Sequence, residues 1–238
     1  MNPSPERRPS LRPDFPLSSR ETSRVVTGVE SPKPHLGWYS RGYLPHWDHP
    51  GMIQSLNFRL ADSLPTSVVE RWKMELAHEP EDEAAAAIRQ RVEKYLDDGH
   101  GECWLRRADV ARLAEAALLH FDGQRYRLLA WCIMPNHVHV MIETREGFTL
   151  PGILHSWKSY TANQANKLLA RCGEFWQREY LDRYIRNAEH YQQAVAYVEE
   201  NPVKAGLARV KTNWPWSSAK LRQSMGANTG SAGILPAR

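Results

Sequence analysis

One pair of residues in the sequence is placed for metal chemistry. His137-Val138-His139 opens the apolar run HVHVMIE, directly after Pro135-Asn136. In a strand, successive side chains point to opposite faces, so residues two apart share a face. Both imidazoles then project from one side while Val138 and Val140 pack on the other. Ring nitrogens are the commonest protein metal ligands, and two side by side can hold a divalent cation. The same pair also reads as two ordinary polar residues on a wet sheet face. A zinc site would draw a third and fourth His or Cys from nearby. None lies close in sequence, so a further ligand has to come from elsewhere in the fold.

Tyr197 offers a nucleophile. It sits in AVAYVEENPVKAG, near the end of a helical stretch, with Asn201 four residues on. That spacing puts the hydroxyl and the amide one turn apart on one helix face. Tyrosine attacks covalently once its proton is drawn off or its phenolate is stabilised. With a reference pKa of about 10, a nearby cation or base assists. Tyr on an amphipathic helix is also an ordinary core residue, and Asn before Pro an ordinary helix terminator. Tyr160, Tyr180, Tyr184 and Tyr191 are rivals on the same grounds. In HSWKSYTANQANKLL, Lys158 shares or adjoins a helical face with Ser159, Asn163 and Asn166. That face reads either as a phosphate contact or as a solvated surface. Trp157, Trp176, Trp214 and Trp216 can stack on unpaired bases or anchor the core. PHWDH (45–49) carries a further His pair in sequence of loop character.

Charge narrows the partners without choosing among them. Lys and Arg total 31 against 27 Asp and Glu, a net +4, which permits nucleic acid and does not require it. The balance is uneven. Acid gathers at Glu79, Glu81, Asp82 and Glu83, at the start of a helix where it suits the macrodipole. Base gathers from Lys158 to Lys220. Cys103, Cys132 and Cys172 stand far apart with no CxxC spacing, which argues against a disulfide framework and fits a reducing cytoplasm. No apolar run approaches the roughly 18 residues of a membrane span, and MNPSPERRPSLRPDF lacks the apolar core of a secretory signal.

The elements that must position these residues follow from periodicity. Residues 55–61 alternate and read as a half-buried strand, and the aromatic stretch at 38–44 as extended. Helical patterns follow at 66–77, extended by 82–98, and at 107–120. Residues 126–133 and 137–143 read as strands around a Pro-Asn turn. Helical spacing resumes at 150–170, and an aromatic-rich stretch runs into a helix from 188 to 200, which Pro202 is expected to end. This order suits an α+β fold, an antiparallel sheet with helices packed mainly on one face. Residues 1–36, rich in Pro, Ser and Arg, read as a disordered basic tail. Residues 37–222 form one domain, and 223–238 a flexible tail.

Taken together, HVH at 137–139 and the segments GWYSRGYLPHWD (37–48), LNFRLADSLP (56–65), MPNHVHVMIE (134–143), LHSWKSYTANQANKLL (154–169), FWQREYLDRYIRN (175–187), YVEENPVKAGL (197–207) and WPWSSA (214–219) resemble the REP-associated tyrosine transposases. These belong to the single-tyrosine HUH transposases, in which U is the apolar residue between two His. The resemblance implies a ferredoxin-like or RRM-like sheet, with the two His on a central strand and the nucleophile, Tyr197, on a facing helix. Where the wider family places a metal-binding Gln four residues after the tyrosine, this chain has Asn201; Glu199 and Glu200 are alternatives. With oxygen donors completing the shell, Mg²⁺ or Mn²⁺ is expected rather than Zn²⁺. The resemblance further implies cleavage and rejoining of single-stranded DNA at REP-type palindromic hairpins through a 5′-phosphotyrosine and a free 3′-OH. DNA contacts are expected from Trp38, Arg41 and Tyr43 and from Lys158, Asn163, Arg183, Arg186 and Lys204. The chain is expected to act as a monomer or homodimer, in the cytoplasm at the bacterial nucleoid, without a membrane. A hairpin-binding regulator that has lost catalysis and an RNA-processing phosphoesterase are the competing functions.

Overall fold

The computed structural model describes residues 34–40 and 45–229. The expected N-terminal tail falls almost wholly outside them. A small antiparallel hairpin, β1 (Gly37–Ser40) with β2 (Pro45–Asp48), precedes the main sheet. That sheet holds β3 (Ile53–Arg59), β4 (Tyr126–Ile133), β5 (His137–Thr144) and β6 (Leu181–Tyr184), antiparallel throughout in the order β4-β5-β3-β6. The helices are α1 (Thr66–Glu75), α2 (Glu81–Asp97), α3 (Ala108–His120), α4 (Leu150–Leu168), α5 (Ala188–Lys204) and α6 (Ser218–Thr229). With α1 and α2 set aside, the chain reads β3-α3-β4-β5-α4-β6. That is the ferredoxin-like α+β arrangement, with α1 and α2 inserted between its first strand and first helix.

β5 is buried along nearly its whole length because both of its faces are covered. On one, Val138, Val140 and Ile142 join Leu56 and Phe58 of β3 and Trp131 and Ile133 of β4 beneath α3 and α4. Small residues on α3 (Ala111, Ala114, Ala117) and bulky ones on α4 (Ile153, Leu154, Trp157) fill that layer. On the other face, Ala130, Cys132, Met134 and Met141 receive Val198 of α5. The helices thus lie mainly on one side, with α5 opposite. His137 and His139 lie on the α5 face.

Most tryptophans anchor the core. Trp157 Nε1 donates to Tyr126 Oη at 2.8 Å, and that hydroxyl donates to the Leu118 carbonyl at 2.7 Å. Trp176 Nε1 donates to Thr161 Oγ1 at 2.7 Å. Tyr126 is fully buried, so Tyr126→Phe strands the Trp157 N–H in an apolar layer. The expected loss is about 1–3 kcal/mol of unfolding free energy, read as a lower urea midpoint with an unchanged slope.

Two local expectations are corrected. The stretch expected to run from aromatics into a helix contains β6, four residues (LDRY), exposed at Arg183 and half-buried at the rest, that pair only with β3. So short an edge strand has no period-2 pattern to betray it. Pro202 does not end α5, which continues to Lys204. The proline removes one amide, and its fixed φ fits a helix. The last turn is held by the Ala205 amide on the Asn201 carbonyl at 2.9 Å. At the C-terminus α6 runs to Thr229, past the boundary at 222 drawn from the sequence. Among the described residues no helix is long and apolar enough to cross a membrane.

Candidate functional site

β5 delivers both imidazoles to one point. The Nε2 atoms of His137 and His139 stand 2.9 Å apart with their rings nearly perpendicular, and both side chains are buried. Burial holds both in the neutral form that binds metal. It brings His139 down to about 3, with Lys204 adding to the effect. It holds His137 well below the usual range, reinforced by His139 and Arg59. Asn136 Oδ1 lies 2.7 Å from His137 Nδ1. An amide oxygen only accepts, so Nδ1 carries the proton and Nε2 the lone pair. On the other side His139 Nδ1 is 3.5 Å from Asn57 Nδ2, while Asn57 Oδ1 is buried without a partner. Turning that amide end for end lets Oδ1 accept from His139 Nδ1 and leaves the His139 lone pair on Nε2 as well.

The donor set fits a hard divalent cation. Two ligands at about 2.1 Å on adjacent corners of an octahedron stand about 3.0 Å apart, close to the observed Nε2 spacing. A carboxylate joins them: Asp97, the last residue of α2, brings Oδ1 to 3.7 Å from His137 Nε2, and the three ligand atoms lie within 4.8 Å of one another. Burial, then the neighbouring Glu93 and Asp98, raise the Asp97 carboxyl to about 6, against the pull of Lys204 and Lys94. Sequence reasoning missed Asp97. Its one signal was a pair of acids, Asp97-Asp98, ending a helix before the GHG turn. The expected alternative Glu199 is engaged elsewhere: it accepts from Ser218 Oγ at 2.8 Å and Arg222 at 2.5 Å, with Lys211 at 3.4 Å. Glu200 is exposed.

α5 lays Tyr197 against this group. Its ring centroid is 5.5 Å from that of His139, edge to face. Burial raises the Tyr197 hydroxyl well above its ordinary value, and the charges of Glu93 and Asp97 act in the same direction; a hydrogen bond from Asn201 opposes them. The Lys204 ammonium lies 4.5 Å from the ring centroid. Asn201 Nδ2 donates to the Tyr197 carbonyl at 3.2 Å, which leaves Oδ1 buried with no partner. A buried amide oxygen with no donor is costly and is a ready ligand for a cation. The rivals are placed differently. Tyr180 is buried and bonded to Tyr39, Tyr160 stands exposed on α4, Tyr184 lies in the edge strand, and Tyr191 packs at the margin of the α5 layer.

The expected DNA contacts fare unevenly. Trp38 is 64% exposed, its ring 4.8 Å from Trp47. Arg41 and Tyr43 lie outside the described residues. Asn163, Arg183, Arg186 and Lys204 are exposed, and in the β3 ladder Arg183 pairs with Ser55, two residues from Asn57. Lys158 departs from expectation. Its ammonium donates to the carbonyls of Gln177 at 2.7 Å and Arg178 at 3.0 Å. It secures the chain entering β6 rather than presenting charge on an open face. The PHWDH segment is likewise structural: His46 Nδ1 lies 2.6 Å from Asp182, and Asp48 accepts from the Leu36 and Leu150 amides.

Residues 104–201 match the family model described as "Transposase IS200 like". Those residues, less than half of the chain, are what is similar to that family. The matched stretch takes in both His of the HxH pair and ends on Asn201. The REP-associated tyrosine transposase of Escherichia coli strain K12 is 28% identical over 95 residues, 39% of this chain and 54% of that protein. A relative from Haemophilus influenzae is 27% identical over 106 residues, 39% of this chain and 58% of its own. The matches thus span little more than half the length of these curated relatives. The resemblance read from the sequence is borne out at the level of the family. A solved structure of a REP-associated tyrosine transposase bound to a REP hairpin gives a TM-score of 0.47 at 17% identity, covering 80% of this chain and 87% of that one.

Proposed function

We propose that this chain is a transposase, a metal-dependent single-strand DNA endonuclease and strand transferase that cleaves and rejoins at REP-type hairpins. The observation that carries the proposal is the pair of neutral imidazoles whose Nε2 atoms meet 2.9 Å apart beneath the Tyr197 ring. His137, His139 and Asn201 would hold Mg²⁺ or Mn²⁺. When bound, such a cation polarises a phosphate oxygen and offsets the charge that builds on it. The protein's own residues do the rest. Tyr197 Oη attacks the phosphorus, and the bond from phosphorus to the 3′-oxygen breaks. The 3′-oxygen leaves as a hydroxyl, taking up one proton for the one that the tyrosine gives up. The product is a phosphodiester between Tyr197 and the 5′ end of the downstream strand. Because that ester keeps the bond energy, attack by a free 3′-OH reseals DNA without ATP. Burial of the Tyr197 hydroxyl keeps it protonated until substrate and cation are in place.

The association with REP sequences comes to this chain from the name of its curated relatives, and recognition of their palindromes as hairpins is part of the proposal. The exposed Trp38 would stack on an unpaired base, while Arg183, Arg186, Lys204 and Asn163 would follow the phosphates. The test is nicking of an end-labelled hairpin with a single-stranded flank, drawn from repeats of the host genome, across a series of divalent metals. Mn²⁺-dependent nicking in DNA but not in the matching RNA is the expected outcome. Hairpin binding without nicking in any metal would instead identify a regulator that has lost catalysis.

A further inference from the structure

The inserted helices α1 and α2 lie outside the residues that match the transposase family. They are nonetheless fixed to the active site. Leu64, Trp72, Val92 and Leu96 form their own buried cluster. The chain leaving α2 is fastened to the turn that precedes the HxH strand. Asn136 is fully buried and works in both directions: its Nδ2 donates to the His100 carbonyl at 2.9 Å, while its Oδ1 accepts from His137 Nδ1. The Leu105 amide donates to the Pro135 carbonyl at 3.1 Å, and the Glu102 amide to Asp62 Oδ2 at 2.8 Å. Between them Gly101 has φ +86°, and a Cβ there would stand 3.0 Å from the Asp62 carbonyl oxygen. Only glycine fits this crossing.

We propose that Asp97, carried on this insertion, is a further protein ligand of the active-site cation, beside His137, His139 and Asn201. The inference rests on the reading of the His pair given above. Three observations carry it. Asp97 Oδ1 is 3.7 Å from His137 Nε2, and all three donor atoms fall within 4.8 Å. Asp97 closes α2, and the carbonyl end of a helix carries partial negative charge that favours a cation. The bonded exit loop ties Asp97 to the strand bearing the imidazoles, so ligand and strand are positioned together. Two neutral imidazoles leave a divalent charge intact, whereas one carboxylate halves it. A hard cation prefers such an oxygen donor, and the remaining positive charge still attracts a phosphodiester. The insertion is then part of the catalytic centre, and cation binding stabilises its docking.

The experiment is a Mn²⁺ titration of the full chain without DNA, followed by electron paramagnetic resonance and by the Mn²⁺-induced shift in melting temperature. Three proteins are compared: wild type, Asp97→Asn, and the double variant His137→Ala/His139→Ala. The expected result is a loss of affinity in Asp97→Asn of roughly tenfold or more, with a reduced melting shift and an unchanged metal-free melting temperature. Equal Mn²⁺ affinity in wild type and Asp97→Asn overturns the proposal while leaving the His pair in place, provided the double variant does not bind. If wild type fails to bind Mn²⁺, or the double variant binds as well as wild type, the reading of the His pair fails and this inference with it.

Discussion

Tyr197→Phe removes one oxygen atom and, with it, strand cleavage. The expected loss is roughly 10³-fold or more in nicking rate, with no covalent protein–DNA adduct, because no other group at this point can form the ester. Binding of the hairpin stays within about twofold, since the ring keeps its edge-to-face contact with His139 and its place under Lys204. Stability changes little, because the hydroxyl is held by Asn201 and Glu93 at the margin of the core rather than within it. Gel shift, nicking and denaturing-gel analysis of adducts on one preparation separate these effects. Adduct formation by Tyr197→Phe would move the nucleophile elsewhere, first to Tyr191 or Tyr184.

The double substitution His137→Ala/His139→Ala is expected to be as severe by a different route. It removes both nitrogen ligands, so nicking falls to background in every divalent metal. Chelation of the wild type gives the same phenotype, reversed by added Mn²⁺, whereas the double variant is not rescued. Both His are buried, and His137 Nδ1 donates to Asn136. The variant therefore leaves an amide oxygen unsatisfied, for about 1–3 kcal/mol. Circular dichroism before the activity assay distinguishes that loss from unfolding. A double variant that folds and still nicks in Mn²⁺ would refute the metal centre.

How much of this was legible in the sequence depends on how local each signal is. The strand Tyr126–Ile133 was read at its observed bounds, because an apolar run between the Asp122-Gly123 and Pro135-Asn136 turns leaves little freedom. The HxH pair was legible because strand periodicity alone puts both rings on one face. Tyr197 and Asn201 were legible as a spaced pair, since a helix turn fixes their relation. Asp97 was not. Its role arises from where α2 ends in space, and in sequence it is one more acid on an exposed helix. Lys158 looked like a surface cation for a similar reason: the carbonyls that hold it belong to a loop that follows α4 by some distance. β6 was hidden because a four-residue edge strand takes its conformation from its partner. Asn136 was read only as half of a turn. Its two hydrogen bonds, one donated to the His100 carbonyl and one accepted from His137 Nδ1, need the insertion folded back on the strand.

The central claim, a covalent tyrosine working beside a metal centre, is tested most directly by locating the adduct. Wild-type protein is incubated with a single-stranded hairpin and Mn²⁺, digested with nuclease and trypsin, and its peptides sequenced by mass spectrometry. The account predicts a residual 5′-nucleotide on the hydroxyl of Tyr197, present only with metal and paired with a free 3′-OH on the upstream fragment. A nucleotide on any other tyrosine, or metal-dependent nicking that leaves no adduct, would contradict it.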